Sequence, residues 1–586
     1  MKKEPLLFKD FNGGWNTETA SDEIAINESP DMVNVDFTKG GSIKKADGFV
    51  ELGEDDDDGK ITGIIKTPNR NGDEWLFKFS GANIKIYDDV NEVWNIIKTG
   101  LTEDQKWGNE VFDNIVYLCS TIDSHLTIDL GQIGRLASDI LLGATSIELE
   151  DASTFDSSGN VYINNTLVTY TGKSTNTLTG CSNAIATSSG YLCVKALSVY
   201  ASTPKGNITA IFGGRLMIAG VTGSGGAVIY GSKATDRTDF SITGGAAAND
   251  AIAEAMDSKI NSVRVFHDDN SYERLMIFTQ NNSIYSTNIE DDATFGTLFS
   301  SSYFKKSVTA INHFSTVVGQ NDIFHIDLNN QIRTLGPNDD GSGKNYSDSI
   351  SLKHRTLFRD EYDFSDARSV IVDGEYWIIT KEGTGDFNNR ILIYDTARGA
   401  WKKRAGGVYS DIVEYKGKVT ISSQAENKVF QVIPKTLTDD GKKINFKYAL
   451  LDVDYSPLTF ERLRAVRISG IISKNCNLTV KMYRDFGSVL LGEFTISGEN
   501  SEIIGSIADV SSSYGSVAFG DVPFGGDEDE DKRFFIANLD LRSLPDLENF
   551  RIVAENKQAG VYLEISKIKP IIFSQDEEYF PENYIL

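Results

Sequence analysis

Gly374-Glu375-Tyr376-Trp377-Ile378-Ile379 runs on to Ile393-Tyr394-Asp395 and then Trp401, and an earlier stretch follows the same plan: Gly72-Asp73-Glu74-Trp75-Leu76-Phe77, then Ile86-Tyr87-Asp88 and Trp94. In both, a Tyr-Asp pair is followed by Trp seven positions after the Tyr. Such a unit reads as a hairpin whose Tyr and Trp pack on the sheet faces while the Asp starts the turn. Weaker copies lie at Phe112–Leu118, Phe212–Ile218, Glu273–Phe278, Ile323–Ile326 and Tyr415–Ile421. Six or seven units of two to four short strands suit the blades of a β-propeller. An irregular β-solenoid or stacked sandwiches are the competing architectures.

The rest of the chain sorts around this body. With 586 residues, 40% of them hydrophobic, several structural units are expected. The 52 glycines, 32 phenylalanines and 23 tyrosines, set against few helical stripes, make the class all-β. We expect a β-propeller-like body over 56–135 and 196–436, an inserted small β-domain over 136–195, a C-terminal β-sandwich over 437–586, and an N-terminal docking arm and hairpin over 1–55. The insert is Thr- and Ser-rich, with Ala144–Leu149, Val161–Ile163 and Val168–Gly172 as short strands. Insertion at an exposed loop costs little closure entropy. After 440, segments such as Leu463–Ile468, Leu478–Tyr483 and Val561–Ile565 alternate at period two, as half-buried strands do.

In the head, Ser29-Pro30-Asp31 reads as a helix N-cap with Pro at the first helical position, so a short helical turn should follow. Val33–Thr38 and Ser42–Lys45, joined by Lys39-Gly40-Gly41, read as a hairpin.

Chemistry is sparse. The five histidines, at 125, 267, 313, 325 and 354, include no i, i+4 pair for a helical zinc site. No nucleophile elbow, phosphate-binding loop or dinucleotide fingerprint occurs, so no enzyme, cofactor or metal is expected. A carboxylate pair set across a cleft would leave no local spacing to read among the 84 acidic residues. The acidic runs at Glu54–Asp58, Asn338–Gly341 and Asp527–Asp531 read as solvated loops; Ile65 stands where an EF-hand needs its closing Glu. Trp75, Trp94, Trp377 and Trp401 could form a sugar-binding face, but their matched repeat positions favour core packing. Cys119, Cys181, Cys193 and Cys476 lack metal-ligand spacing and read as reduced thiols, with Cys181 and Cys193 as possible neighbours within the insert.

The net charge of −27 argues against phosphate-neutralising nucleic-acid binding and would let a polyanion pass without sticking; solubility is the plainer use of such charge. The start, Met1-Lys2-Lys3-Glu4-Pro5, has no apolar signal core, and no stretch of about 18 apolar residues follows. Neither export nor membrane insertion is expected.

The head, through Phe11, Gly13, Gly14, Pro30, Asp31, Asn34, Asp36, Phe37, Gly40, Gly41, Lys44, Lys45 and Gly48, resembles the start of phage tail and connector proteins. The insert, through Ala152–Phe155, Gly159, Tyr170–Gly172 and Leu178–Gly180, looks like a module of tail and baseplate proteins. Together with the propeller-like body, the whole is similar to the tail nozzle (tail tubular) proteins of short-tailed phages. The resemblance implies a structural virion protein, made in the host bacterial cytoplasm and placed in the tail. It would form a homo-oligomeric, hexameric ring against adaptor or portal proteins and line a channel through which genomic DNA passes unbound. Phe11, Gly13, Gly14, Trp15, Pro30, Asp31, Asn34 and Asp36 would be the docking motif. The alternatives are a host-attachment protein binding a receptor or glycan, and a polysaccharide-degrading tail enzyme.

Overall fold

The computed structural model describes residues 7–54, 59–68, 74–242, 250–267, 273–281, 283–288, 302–306, 308–319, 322–335, 347–454, 461–484, 487–499, 532–540 and 549–574. Seven four-stranded antiparallel sheets in that set follow one another as blades. Named by their innermost strands, they begin at Ile61–Pro68, Gly108–Phe112, Ile208–Phe212, Ile260–His267, Val317–Val318, Tyr362–Val372 and Asp411–Tyr415. From blade two onward the inner strand of each blade packs on that of the next, and the seventh packs back on the first, so the ring closes. Blades one and two join through a shared core that includes Phe77, Ile86, Val116 and Leu118. The protein is an all-β molecule built on a β-propeller.

Local sequence explains the blades. Inner hairpins of blades two, three, six and seven turn on Asp113-Asn114, Gly213-Gly214, Asp373-Gly374 and Lys416-Gly417, each pair with φ between 50° and 77°. Two consecutive residues of positive φ make the turn whose twist matches a hairpin. The Tyr–Trp spacing is a cross-strand pair: Tyr87 faces Trp94 and Tyr394 faces Trp401 in register, with ring centroids 5.2 and 5.0 Å apart. Trp94 Nε1 donates to the Leu52 carbonyl and Trp401 Nε1 to that of Ile350, which fixes both rings as packing elements.

The seventh blade takes its outermost strand from the head: Phe49–Glu51 pairs with Lys428–Val432. The ring is thereby closed by residues nearly 400 positions apart in the chain.

Two facing sheets share a second core. One contains Met32–Val33, Phe446–Ala449, Asn549–Asn556, Asn477–Arg484 and Val489–Ser497; the other contains Val35–Phe37, Ile43–Lys45, Leu563–Ser574, Glu461–Ser473 and Lys532–Asp540. Met32, Val35, Ile43, Val466, Ile468, Leu478, Val480 and Ile565 fill it. The hairpin of the head, with Val35 opposite Lys45, belongs to the second sheet.

The helical turn expected after Ser29-Pro30-Asp31 is corrected: Glu28–Ser29 and Met32–Val33 are both extended. The Ser29 hydroxyl donates to the carbonyls of Asp31 and Ala449 instead of accepting from a helix N–H, and Met32 pairs with Tyr448. Tertiary pairing has overridden a local cap signal.

Residues 133–195 lie between the third and fourth strands of blade two, His125–Asp129 and Ser198–Tyr200, and form two small sheets around Ile147, Phe155, Val161, Tyr170 and Cys193. They rest on the outer strand of blade one: Asn165 Oδ1 accepts from Ile96 N at 2.7 Å, and Arg135 bridges Asp88 and Asp89 at 2.8 and 3.0 Å. An otherwise open sheet edge is covered.

Candidate functional site: the propeller channel and its mouth

Charged side chains project from the inner strands towards the axis. Glu110 comes from blade two, Thr209 from blade three, Arg264 from blade four, and Thr316 from the segment entering blade five; with apolar neighbours such as Ile211 and Val263 they line a cavity of about 300 Å3. Arg264 is pinned by three contacts: Nε donates to the Thr316 carbonyl at 2.6 Å, Nη2 to the His313 carbonyl at 2.7 Å, and Nη1 lies 2.9 Å from His313 Nε2. Arginine only donates, so His313 Nε2 accepts and the ring is neutral. Burial holds His313 well below its ordinary pKa, and the fields of Arg264 and Arg368 add to the effect. Glu110 forms no ion pair with Arg264. Burial pushes its carboxyl up to about 7, against the lowering by Arg264 and by a hydrogen bond with Thr209. A carboxyl raised by burial in a cavity makes Glu110 a candidate functional position.

The channel mouth at blades one, six and seven is a second cavity, of about 180 Å3. Its wall is an irregularity in the inner strand of blade six, where the register with Glu375–Glu382 shifts between Asp363 and Arg368. Side chains hold the carbonyls released there: Thr380 Oγ1 donates to Asp363 O at 3.0 Å, Asn388 Nδ2 to Asp366 O at 3.2 Å, and Asn312 Nδ2 to Phe364 O and Ser365 O at 3.1 Å each. The bulge re-aims Ser365, Asp366 and Arg368 at the cavity. Rim lysines are paired: Lys60 with Asp104 at 3.0 Å, Lys381 with Asp363 at 2.7 Å, and Lys106 with Asp366. Arg368 lies 3.7 Å over the Phe314 ring. Asp411 accepts from Ile64 N at 3.0 Å and Ile412 N at 2.9 Å; burial raises its carboxyl and the Arg368 field opposes that rise. This arrangement suits recognition of a polar ligand.

The residues singled out in the head lie elsewhere, and within the chain they pack on its own cores. Phe11 is edge-on to Tyr448 at 5.5 Å, and Trp15 stacks on His354. A Cβ at Gly13 would meet Asn27 O at 2.7 Å, and at Gly14 (φ +79°) Trp401 N at 2.9 Å, so both positions need glycine. Pro30 is half-buried beside Asp31, whose carboxylate pairs with Lys447 at 2.6 Å. Asn34 bonds to the outer strand of blade six, and Asp36 to Lys402 at 3.2 Å. Burial would raise the Asp36 carboxyl, but Lys402, Arg404 and Lys44 hold it well below the usual range.

His125, His325 and His354 are buried packing residues pushed down to about 4, 4 and 3, burial being the largest cause. The four cysteines are free and buried. Among the described residues no three His, Cys, Asp or Glu side chains group as metal ligands. Asp55–Asp58, the runs at 338–341 and 527–531, and the His267 side chain lie outside the described residues. The sequence reading missed Glu110, Arg264, Arg368 and Asp411. A local signal existed for Arg264 alone, a charge between apolar residues in Val263-Arg264-Val265; Glu110, Arg368 and Asp411 each have a polar neighbour, Asn109, Ser369 and Ser410.

No family model matches the chain, and no curated protein matches it by sequence. Similar solved structures include BamB from Moraxella catarrhalis (7% identity, 70% of this chain and 98% of that one, TM-score 0.32). Virginiamycin B lyase from Staphylococcus aureus is another (13% identity, 65% and 98%, TM-score 0.34). A third is YCF48 from Cyanidioschyzon merolae (11% identity, 66% and 99%, TM-score 0.36). These are β-propeller proteins. The resemblance to phage tail nozzle proteins is thereby corrected: no phage family is indicated, and the head residues that carried it are accounted for by packing inside this chain.

Proposed function

We propose that this chain is a non-enzymatic structural subunit that assembles with copies of itself and with other proteins into a closed ring. Its acidic surface faces a lumen through which a polyanion passes without adhering. The observation that supports this reading most is the path of residues 7–51, which supply three strands to the two facing sheets and one to the seventh blade while packing against blade six. Two β-bodies coupled through buried, hydrogen-bonded strands resist being pulled apart, as a subunit under mechanical load must. The net charge of −27 provides the repulsion. Light scattering and electron-microscope class averages of the purified chain, alone and with its assembly partners, test the proposal. A symmetric ring whose hole admits duplex DNA is expected; a persistent monomer would overturn it.

A second reading, attachment to a surface receptor or glycan, is favoured by Leu141 and Leu142 at the tip of the insert, 77% and 80% exposed. Adjacent exposed leucines are the kind of feature that marks a contact surface. Deleting 137–194 separates the two: a ring subunit still assembles, whereas an attachment protein loses its binding to cells or glycans.

A further inference from the structure

We propose that the cavity at the mouth of the channel binds a small hydroxylated monocarboxylate, a sugar acid, with Arg368 as the receptor for its carboxylate. This goes beyond the structural role and stands independently of it. Arg368 is 5% exposed, lines the cavity and stacks on Phe314, yet its guanidinium makes no hydrogen bond or ion pair among the described residues. A guanidinium carries five N–H donors that cannot be discharged by deprotonation, and those of Arg368 are not sealed in the core but open on the cavity, where a ligand can meet them. Asp411 does not form an ion pair with it, because the Asp411 oxygens are held by Ile64 N and Ile412 N.

The rim selects the anion. Asp104, Asp363 and Asp366 engage the three lysines, and Asp386 adds a fourth carboxylate, so one uncommitted cation faces a balanced rim. A doubly charged phosphate is repelled there, while a planar monoanion matches the guanidinium fork. Beside these carboxylates, Ser365, Asn388, Ser410 and Gln424 offer partners for hydroxyls, and Phe387, 46% exposed, offers a flat apolar face. The volume of about 180 Å3 falls below drug-sized pockets, roughly 300 Å3 upward, and suits one sugar ring. The four side-chain hydrogen bonds that hold the bulge fix this wall before any ligand arrives.

Isothermal calorimetry on the full chain with D-glucuronate, D-glucose and inorganic phosphate tests the proposal. Glucuronate is expected to bind, glucose at least about tenfold more weakly, and phosphate more weakly still. Arg368→Lys keeps the charge and loses the fork, and should weaken glucuronate about tenfold or more with the melting temperature unchanged. Phe387→Ala alters an exposed side chain that the fold does not need, and should weaken glucuronate several-fold, so the proposal is testable even if the Arg368 variant fails to fold. No heat with millimolar glucuronate, phosphate binding at least as tightly, or glucuronate affinity unchanged in a folded Arg368→Lys or in Phe387→Ala, each overturns it.

Discussion

The imidazole of His354 lies 4.4 Å, centroid to centroid, from the indole of Trp15, and on this contact the head meets the propeller. Phe358 stacks on the same ring at 5.1 Å, Trp401 meets it edge-on at 6.1 Å, and Thr17 Oγ1 is 3.1 Å from its Nδ1. Burial pushes His354 down to about 3, with the fields of Lys353 and Lys403 adding to it. In the unfolded chain it titrates near 6.5, so its contribution is complete above that pH and is lost as pH falls towards 3. Between pH 6.5 and pH 5 the loss is about 2 kcal/mol. His354→Phe keeps an aromatic ring in the stack and removes the titration. It should flatten this acid limb in urea denaturation measured across pH.

Asn34 carries the chain from one facing sheet to the other in a left-handed conformation, φ 55°. Its side chain acts as a peptide group towards blade six: Oδ1 accepts from Ala405 N at 3.0 Å, and Nδ2 donates to Ala405 O at 3.2 Å and Asn445 O at 2.8 Å. Asn34→Ala removes three hydrogen bonds and strains the backbone, and should cost about 3–4 kcal/mol by chemical denaturation. Asn34→Gly relieves the strain alone and should recover about 1 kcal/mol of that.

Phe49 sits in the core of the closing blade with Ile412, Ile421 and Phe430, and its ring lies under the Arg404 guanidinium at 4.8 Å. Phe49→Ala leaves a cavity where the ring of blades is sealed. A loss of about 3 kcal/mol is expected, read as a lowered denaturation midpoint.

Glu110 gives the opposite pH signature to His354. Its carboxyl is raised from 4.5 to about 7, so the fold prefers it protonated, and stability falls as pH rises through that window and is level above it. Glu110→Gln should stabilise the protein at pH 8 by roughly 1–2 kcal/mol, the full linkage value being reduced by solvent in the channel, and have little effect at pH 4.5. Equal effects of Glu110→Gln at both pH values would contradict this.

The propeller was legible in the sequence because blades one and six each carry a cross-strand aromatic pair inside one hairpin. Tyr87 with Trp94 and Tyr394 with Trp401 lie within one hairpin, so sequence spacing is structural spacing. The closing strand Phe49–Glu51 was not legible, since three residues hold no register and their partner is at 428–432. The head misled for a related reason. Ser29-Pro30-Asp31 carries a genuine local cap signal, and pairing with the distant Tyr448 and Ala449 overrides it. The site was missed because Glu110, Arg264, Arg368 and Asp411 come from four different blades, and only closure of the ring brings them to one axis.

The measurement that tests the central claim most directly is hydrogen exchange of the full chain, followed by mass spectrometry, over residues 28–51. If these residues tie the facing sheets to the closed propeller, their strand amides exchange as slowly as those of Lys418–Ser423 and Asn477–Arg484, the interior strands they serve. Exchange of 28–51 within seconds, as from a loose arm, while those strands stay protected, would contradict the account.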